Sequence, residues 1–89
     1  MNTSELIEKA VRDLNPETSL FSVLIYLAFR GPSQPIDIAD DTGIPSGTVR
    51  PSLRSLLDKG YVDQLEDGSY KSKIAFVDVI SHLYAKTEA

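Results

Sequence analysis

Cysteine is absent from the 89 residues, and histidine occurs once, at His82. The first absence excludes disulfides and thiolate metal sites, and the second removes any histidine-pair zinc site. Asp63, Glu66 and Asp67 lack calcium-loop spacing. Asp40 and Asp41 are adjacent and point different ways, which argues against a shared-proton pair. No glycine-rich phosphate loop and no nucleophile motif occurs. No enzyme, cofactor or metal is therefore expected. Long apolar runs are also missing: the greasiest stretch, Leu20 to Phe29, is too short to span a bilayer, so no membrane association is expected. Met1-Asn2-Thr3-Ser4-Glu5 has no basic region followed by an apolar run. No signal peptide is expected there, and a cytoplasmic location is.

What is present is ordinary for a folded domain: 42% of residues are apolar and 25% charged. The length fits one domain, residues 1–89, with a core thin enough to gain from a partner subunit. Asn2-Thr3-Ser4-Glu5 supplies capping residues with an acid in the first turn, and Leu6, Ile7, Ala10, Val11 and Leu14 then recur at helical spacing. Asn15-Pro16 ends that helix and starts the next, with Asn15 as N-cap and Pro16 in the first helical position. The second helix is apolar on nearly every side and ends at Gly31-Pro32, so it needs cover all round. Ile36 reads as briefly extended, Asp37 as the cap of a short helix to Thr42, and Gly43 as its left-handed end. Ile44-Pro45-Ser46 forms a turn, and a helix follows to Lys59, closed by Gly60. Two short strands, 61–65 and 69–73, join through Glu66-Asp67-Gly68, in which Asp-Gly is a strong hairpin signal. A last helix follows on Ile74, Val77, Ile80, Leu83 and Tyr84. The fold class is mainly α with a small β-hairpin, divided into an N-terminal helix (1–15), a core (16–73) and a C-terminal helix (74–89).

Helix, short helix, tight turn, helix and hairpin, in that order, make a winged helix-turn-helix. The run from Gly43 to Val62, with Thr48-Val49, Leu53, Leu56 and the terminal Gly60 before the first strand, resembles the winged-helix transcription regulators, including the MarR, PadR and IclR families. The upstream Ile38-Ala39-Asp40-Asp41-Thr42 resembles their second helix. The resemblance implies double-stranded DNA as partner, with helix 46–59 in the major groove. Val49, Leu53 and Leu56 seat that helix on the core. Ser46, Thr48, Arg50 and Arg54 fall mainly on the other side. Arginine can pair with a guanine edge or a phosphate, Ser46 and Thr48 can bond phosphate beside free amides, and Pro51, in the early helix, can touch a thymine methyl. Lys71 and Lys73 sit on the second wing strand.

Each of these has a plainer reading. Ser46 can be a simple N-cap, the arginines solvated, Lys71 and Lys73 guards of an exposed sheet edge, and Tyr70 packing. Glu66 and Asp67 would repel phosphate, so the wing tip is not expected to enter a groove. The net charge of −4 also opposes DNA binding, although residues 44–73 carry five basic and four acidic groups, leaving −5 for the rest. Two alternatives therefore stand beside the regulator: a winged-helix module that binds protein, and a subunit that grips DNA without sequence preference. No effector domain fits this length, so ligand induction is not expected. A homodimer is expected, built from Leu6 and Val11 of the first helix and Phe76, Val77, Ile80, Leu83 and Tyr84 of the last. The alternative is that the two helices fold back within one chain.

Overall fold

The computed structural model describes residues 3–15 and 18–88, with side chains from 5–15 and 18–85. Five helices and one hairpin run in the order α1 (Thr3–Asp13), α2 (Ser19–Arg30), α3 (Pro35–Thr42), α4 (Ser46–Lys59), β1 (Val62–Gln64), β2 (Tyr70–Ser72) and α5 (Phe76–Glu88). The strands pair antiparallel with Asp63 opposite Lys71. This is the mainly helical winged-helix architecture expected from the sequence.

The core forms where α2 meets everything else. Val23, Leu24 and Leu27 of α2 pack with Ile38 of α3, with Val49, Leu53 and Leu56 of α4, and with Tyr61 and Val62 of the wing. Ile7 and Ala10 of α1, Leu14 just beyond its end, Ile74 ahead of α5 and Val79 of α5 complete the same cluster. Burying each large aliphatic side chain contributes about 1.5–3 kcal/mol, and this cluster fixes where α4 sits. Tyr61 is fully buried, and its hydroxyl donates to an Asp13 carboxylate oxygen at 2.9 Å. Burial first, and then that bond, push its phenol up to about 12. The end of α4 is tied to the same acid by Lys59 at 3.8 Å.

Several boundaries differ from the sequence reading, each for a local reason. Thr18, not Asn15, caps α2: its hydroxyl accepts from the Phe21 amide at 3.5 Å and donates to the Asn15 carbonyl at 2.7 Å. Pro16 lies outside the described residues. Ile36 is not extended and Asp37 is not a cap. Helix α3 begins at Pro35 behind Gln34, because a proline at the first helical position forfeits no intrahelical bond. The extended residue is Ser33, which exchanges both backbone bonds with Tyr70 at 3.0 and 2.9 Å and so adds a third, one-residue strand to the wing. Helix α5 starts at Phe76. Ile74 precedes it as a buried loop residue, held by the Ser72 hydroxyl, which donates to the Ile74 carbonyl and accepts from its amide, both at 2.9 Å. Gly43 closes α3 with φ of 77°, the left-handed conformation expected of it, and Gly60 closes α4 in the same conformation with φ of 86°.

Candidate nucleic-acid interface

Helix α4 is seated by one face and free on the other. Val49, Ser52, Leu53 and Leu56 are buried, while Ser46, Thr48, Arg50, Pro51 and Arg54 are exposed. Arg50 and Arg54 stand one turn apart on the exposed side, and among the described residues neither makes an ion pair. The helix starts differently from the expectation. Pro45 holds the N-cap position and caps with no side chain, so Ser46 is the first helical residue and not the cap. The Pro45 carbonyl accepts from Thr48 and Val49 at 2.8 and 3.0 Å, and the amides ahead of them, of Ser46 and Gly47, head the helix without intrahelical acceptors. A Cβ on Gly47 would meet nothing within 4 Å, so packing inside the chain does not require a glycine there.

Pro51 lies in the early part of the helix as expected, in its second turn, where the missing N–H removes one intrahelical bond. It withholds the bond to the exposed Gly47 carbonyl, which solvent can satisfy. One residue on, the Ser52 hydroxyl donates to the Thr48 carbonyl at 2.8 Å, adding a side-chain bond beside the missing one.

The wing contributes less free positive charge than its sequence suggests. Lys71 and Lys73 are both exposed, but Lys73 lies 3.5 Å from Asp63 on the facing strand. At the tip, Asp67 is built into the turn. Its Oδ1 accepts from the Ser69 amide at 2.9 Å and the Ser69 hydroxyl at 2.6 Å, and these bonds hold its carboxyl below the usual range. The tip is anionic, and Glu66 beside it is exposed. Sequence reasoning missed two further features. Gln34 ties the tip down, its Nε2 donating to the Asp67 carbonyl at 2.9 Å, a contact across 33 residues that no local pattern signals. Asp58 is exposed four residues beyond Arg54, so the cationic side of α4 is confined to its first three turns. That spacing was readable in the sequence. Asp40 and Arg50 also line one groove between α3 and α4, so an acid shares that groove with the leading arginine.

This geometry is that of a helix-turn-helix with its second helix presented outward, and a family comparison agrees with it. The model of the family described as sugar-specific transcriptional regulator TrmB matches residues 19–80, more than two thirds of the chain. The chain belongs to the TrmB family. Its members are transcriptional regulators whose domain is a DNA-binding winged helix, which narrows the wider winged-helix resemblance to one family. The matched span starts with α2 and takes in the whole helix-turn-helix, the wing and the first part of α5. TrmB is a family of transcription regulators and not of enzymes. No curated protein matches the chain in a sequence search. Among the described residues, no helix is long and apolar enough to cross a membrane, and no group of three or more acidic or histidine side chains is placed to hold a metal.

Proposed function

We propose that this TrmB-family protein binds duplex DNA sequence-specifically as a homodimer, with α4 in the major groove. The carrying observation is the exposed start of α4, where Arg50 and Arg54 stand beside Ser46, Thr48 and the open Gly47. The arginines suit a guanine edge or phosphate, the leading amides and hydroxyls suit phosphate, and Gly47 leaves room for the DNA backbone to come close. Pro51 offers an apolar contact, and Lys71 and Lys73 flank the site on the wing. The wing tip stays out of the groove, because its exposed Glu66 and Asp67 carboxylates repel phosphate.

Duplex binding measured by fluorescence anisotropy across a salt series is expected to weaken steeply, with a log–log slope of about −3 per protomer, because each phosphate neutralised releases counterions. No duplex binding at low salt would reject the proposal and favour a protein-binding module. Equal affinity for every sequence would favour a nonspecific DNA-gripping subunit.

Arg50→Ala and Arg54→Ala are each expected to cost about 1–3 kcal/mol of affinity and to relax preference at one base position, while thermal unfolding changes little because both side chains are exposed. Unchanged affinity and specificity in both variants would remove α4 as the reading element.

The dimer is supported by an apolar stripe that the fold leaves exposed. Val77, Ile80, Leu83 and Tyr84 are between 47% and 66% exposed, and Phe76 is 36% exposed. Phe29 of α2, at 64%, continues the stripe through an edge-to-face contact with Phe76 at 5.1 Å. Leu6 and Val11 are half-buried against the core of their own chain, with α1 lying along α5, so in this proposal they border the interface and do not form its centre.

A further inference from the structure

A groove of about 540 Å³ runs between α3 and α4. Ser46 and Arg50 of α4, one turn apart, form one wall, and Ile36 and Asp40 of α3, one turn apart, form the other. Ile44 and Pro45, in the turn between the helices, add hydrocarbon to the lining. The α4 wall belongs to the face that meets DNA in the proposed complex. A DNA atom that reaches Arg50 along this groove therefore also meets Asp40.

The fold gives Asp40 no task of its own. Helix α3 carries three acids, and they divide between two grooves. Asp37 and Asp41 line one with Tyr26 and Arg30, where Asp41 accepts from the Tyr26 hydroxyl, whereas Asp40 shares the other with Arg50. Its side chain is exposed and, among the described residues, makes neither an ion pair nor a hydrogen bond. A carboxylate on this face lowers affinity for every phosphate by like-charge repulsion. It recovers that loss only against a hydrogen-bond donor, and the major groove presents donors as the amino groups of cytosine and adenine. The adenine amino group lies beside N7, an acceptor that would face the carboxylate. The cytosine amino group lies across the pair from guanine O6, which with N7 forms the acceptor pair that an arginine fork fits. An acid and an arginine in one groove thus match a single C·G pair, its donor to Asp40 and its two acceptors to Arg50.

We propose that Asp40 is a specificity-determining residue, accepting from cytosine N4 in the C·G pair whose guanine Arg50 reads. This role rests on α4 entering the major groove as proposed, and it adds a second helix to the reading surface. The acid weakens binding to all other DNA, so it selects by exclusion as well as by contact.

The test selects duplexes from a randomised pool with the whole protein, then measures fluorescence anisotropy on the selected duplex and on random duplex. Arg50→Ala and Asp40→Ala are expected to lose base preference at the same C·G pair. Asp40→Ala should bind the selected duplex about tenfold more weakly, the worth of one good base contact, and random duplex at least as tightly as the unmodified protein does. Asp40→Asn keeps an acceptor oxygen without the charge and should retain part of the preference. Thermal unfolding should not change in either Asp40 variant, because the side chain is exposed. The proposal is overturned if Asp40→Ala binds both duplexes more tightly with its preference intact, if the two alanine variants lose preference at different base pairs, or if the pair they affect is not C·G. Each of these outcomes is read on an unmodified protein that binds and selects DNA. Failure of the DNA-binding reading itself would show instead as no enrichment and no binding at low salt, and would remove the role of Asp40 with it.

Discussion

Acidic residues at Ile80 and Leu83 together should convert a dimer into a monomer and lower duplex affinity by roughly a hundredfold or more, the loss expected when two linked half-site contacts become independent. Both side chains are about half exposed on the outer face of α5, so each chain should keep its fold while the subunit contact fails. The stripe from Phe29 to Tyr84 presents roughly 600 Å² of apolar surface per protomer, given that each large side chain offers about 150–250 Å². That approaches the roughly 800 Å² per partner of a stable interface and matches the largest patches that monomers leave in water. Two carboxylates per chain buried there without partners would oppose association strongly. Light scattering should give the dimer mass for the unmodified protein and half of it for the variant, with an unchanged far-ultraviolet circular dichroism spectrum. A monomeric unmodified protein, or a variant that stays dimeric, would remove α5 as the subunit contact.

Leu53→Ala carries the other large effect, on stability. Leu53 is fully buried where α4 rests on α2. Truncating it removes the transfer free energy of its methyl groups and leaves a cavity, about 2–5 kcal/mol in all. A domain of this length has only about 4–13 kcal/mol of stability, so roughly 40% of it should vanish at the middle of both ranges. Ile36→Ala makes the comparison sharp: that residue is 63% exposed, and the change should stay within about 0.5 kcal/mol. Urea unfolding midpoints for the two variants measure the contrast. Equal midpoints would mean that α4 is not anchored by its inner stripe.

What could be seen in the sequence was what depends on near neighbours. Gly43, Gly60 and the Asp67-Gly68 turn punctuate the chain through backbone conformation alone, and the bounds of the helices between them follow from that punctuation to within a few residues. The inner stripe of α4 was equally plain, because Val49, Leu53 and Leu56 repeat at helical spacing and are all buried. What escaped depends on partners distant along the chain. Ser33 has no strand signature of its own and becomes one only because Tyr70 lies beside it. Thr18 displaced Asn15 as a cap because its hydroxyl bonds both ways across the turn. The apolar surround of α2 was correctly read as needing cover, but the sequence could not show which part would stay bare. That part is Phe29, which rests its ring edge against Phe76 and leaves the rest to solvent. For the interface, exposure of Arg50 and Arg54 followed from periodicity, whereas the pairing of Lys73 with Asp63 depends on strand register.

The fastening of the hairpin has a mechanical consequence. Ser33 binds its second strand through two backbone bonds, Gln34 holds its tip, and both residues sit in the short connection that leads into α3. The wing and the two helices of the motif are thus one stiff body, with little freedom to splay when they meet DNA. A stiff reading head cannot adjust to a displaced target by bending within itself. In a two-fold assembly, tolerance for spacing must then come from rotation of one protomer against the other. Each base pair inserted between half-sites turns the second site by about 34–36°. Binding should therefore be sharply tuned to separation and should recover when a full helical turn of about ten base pairs is added.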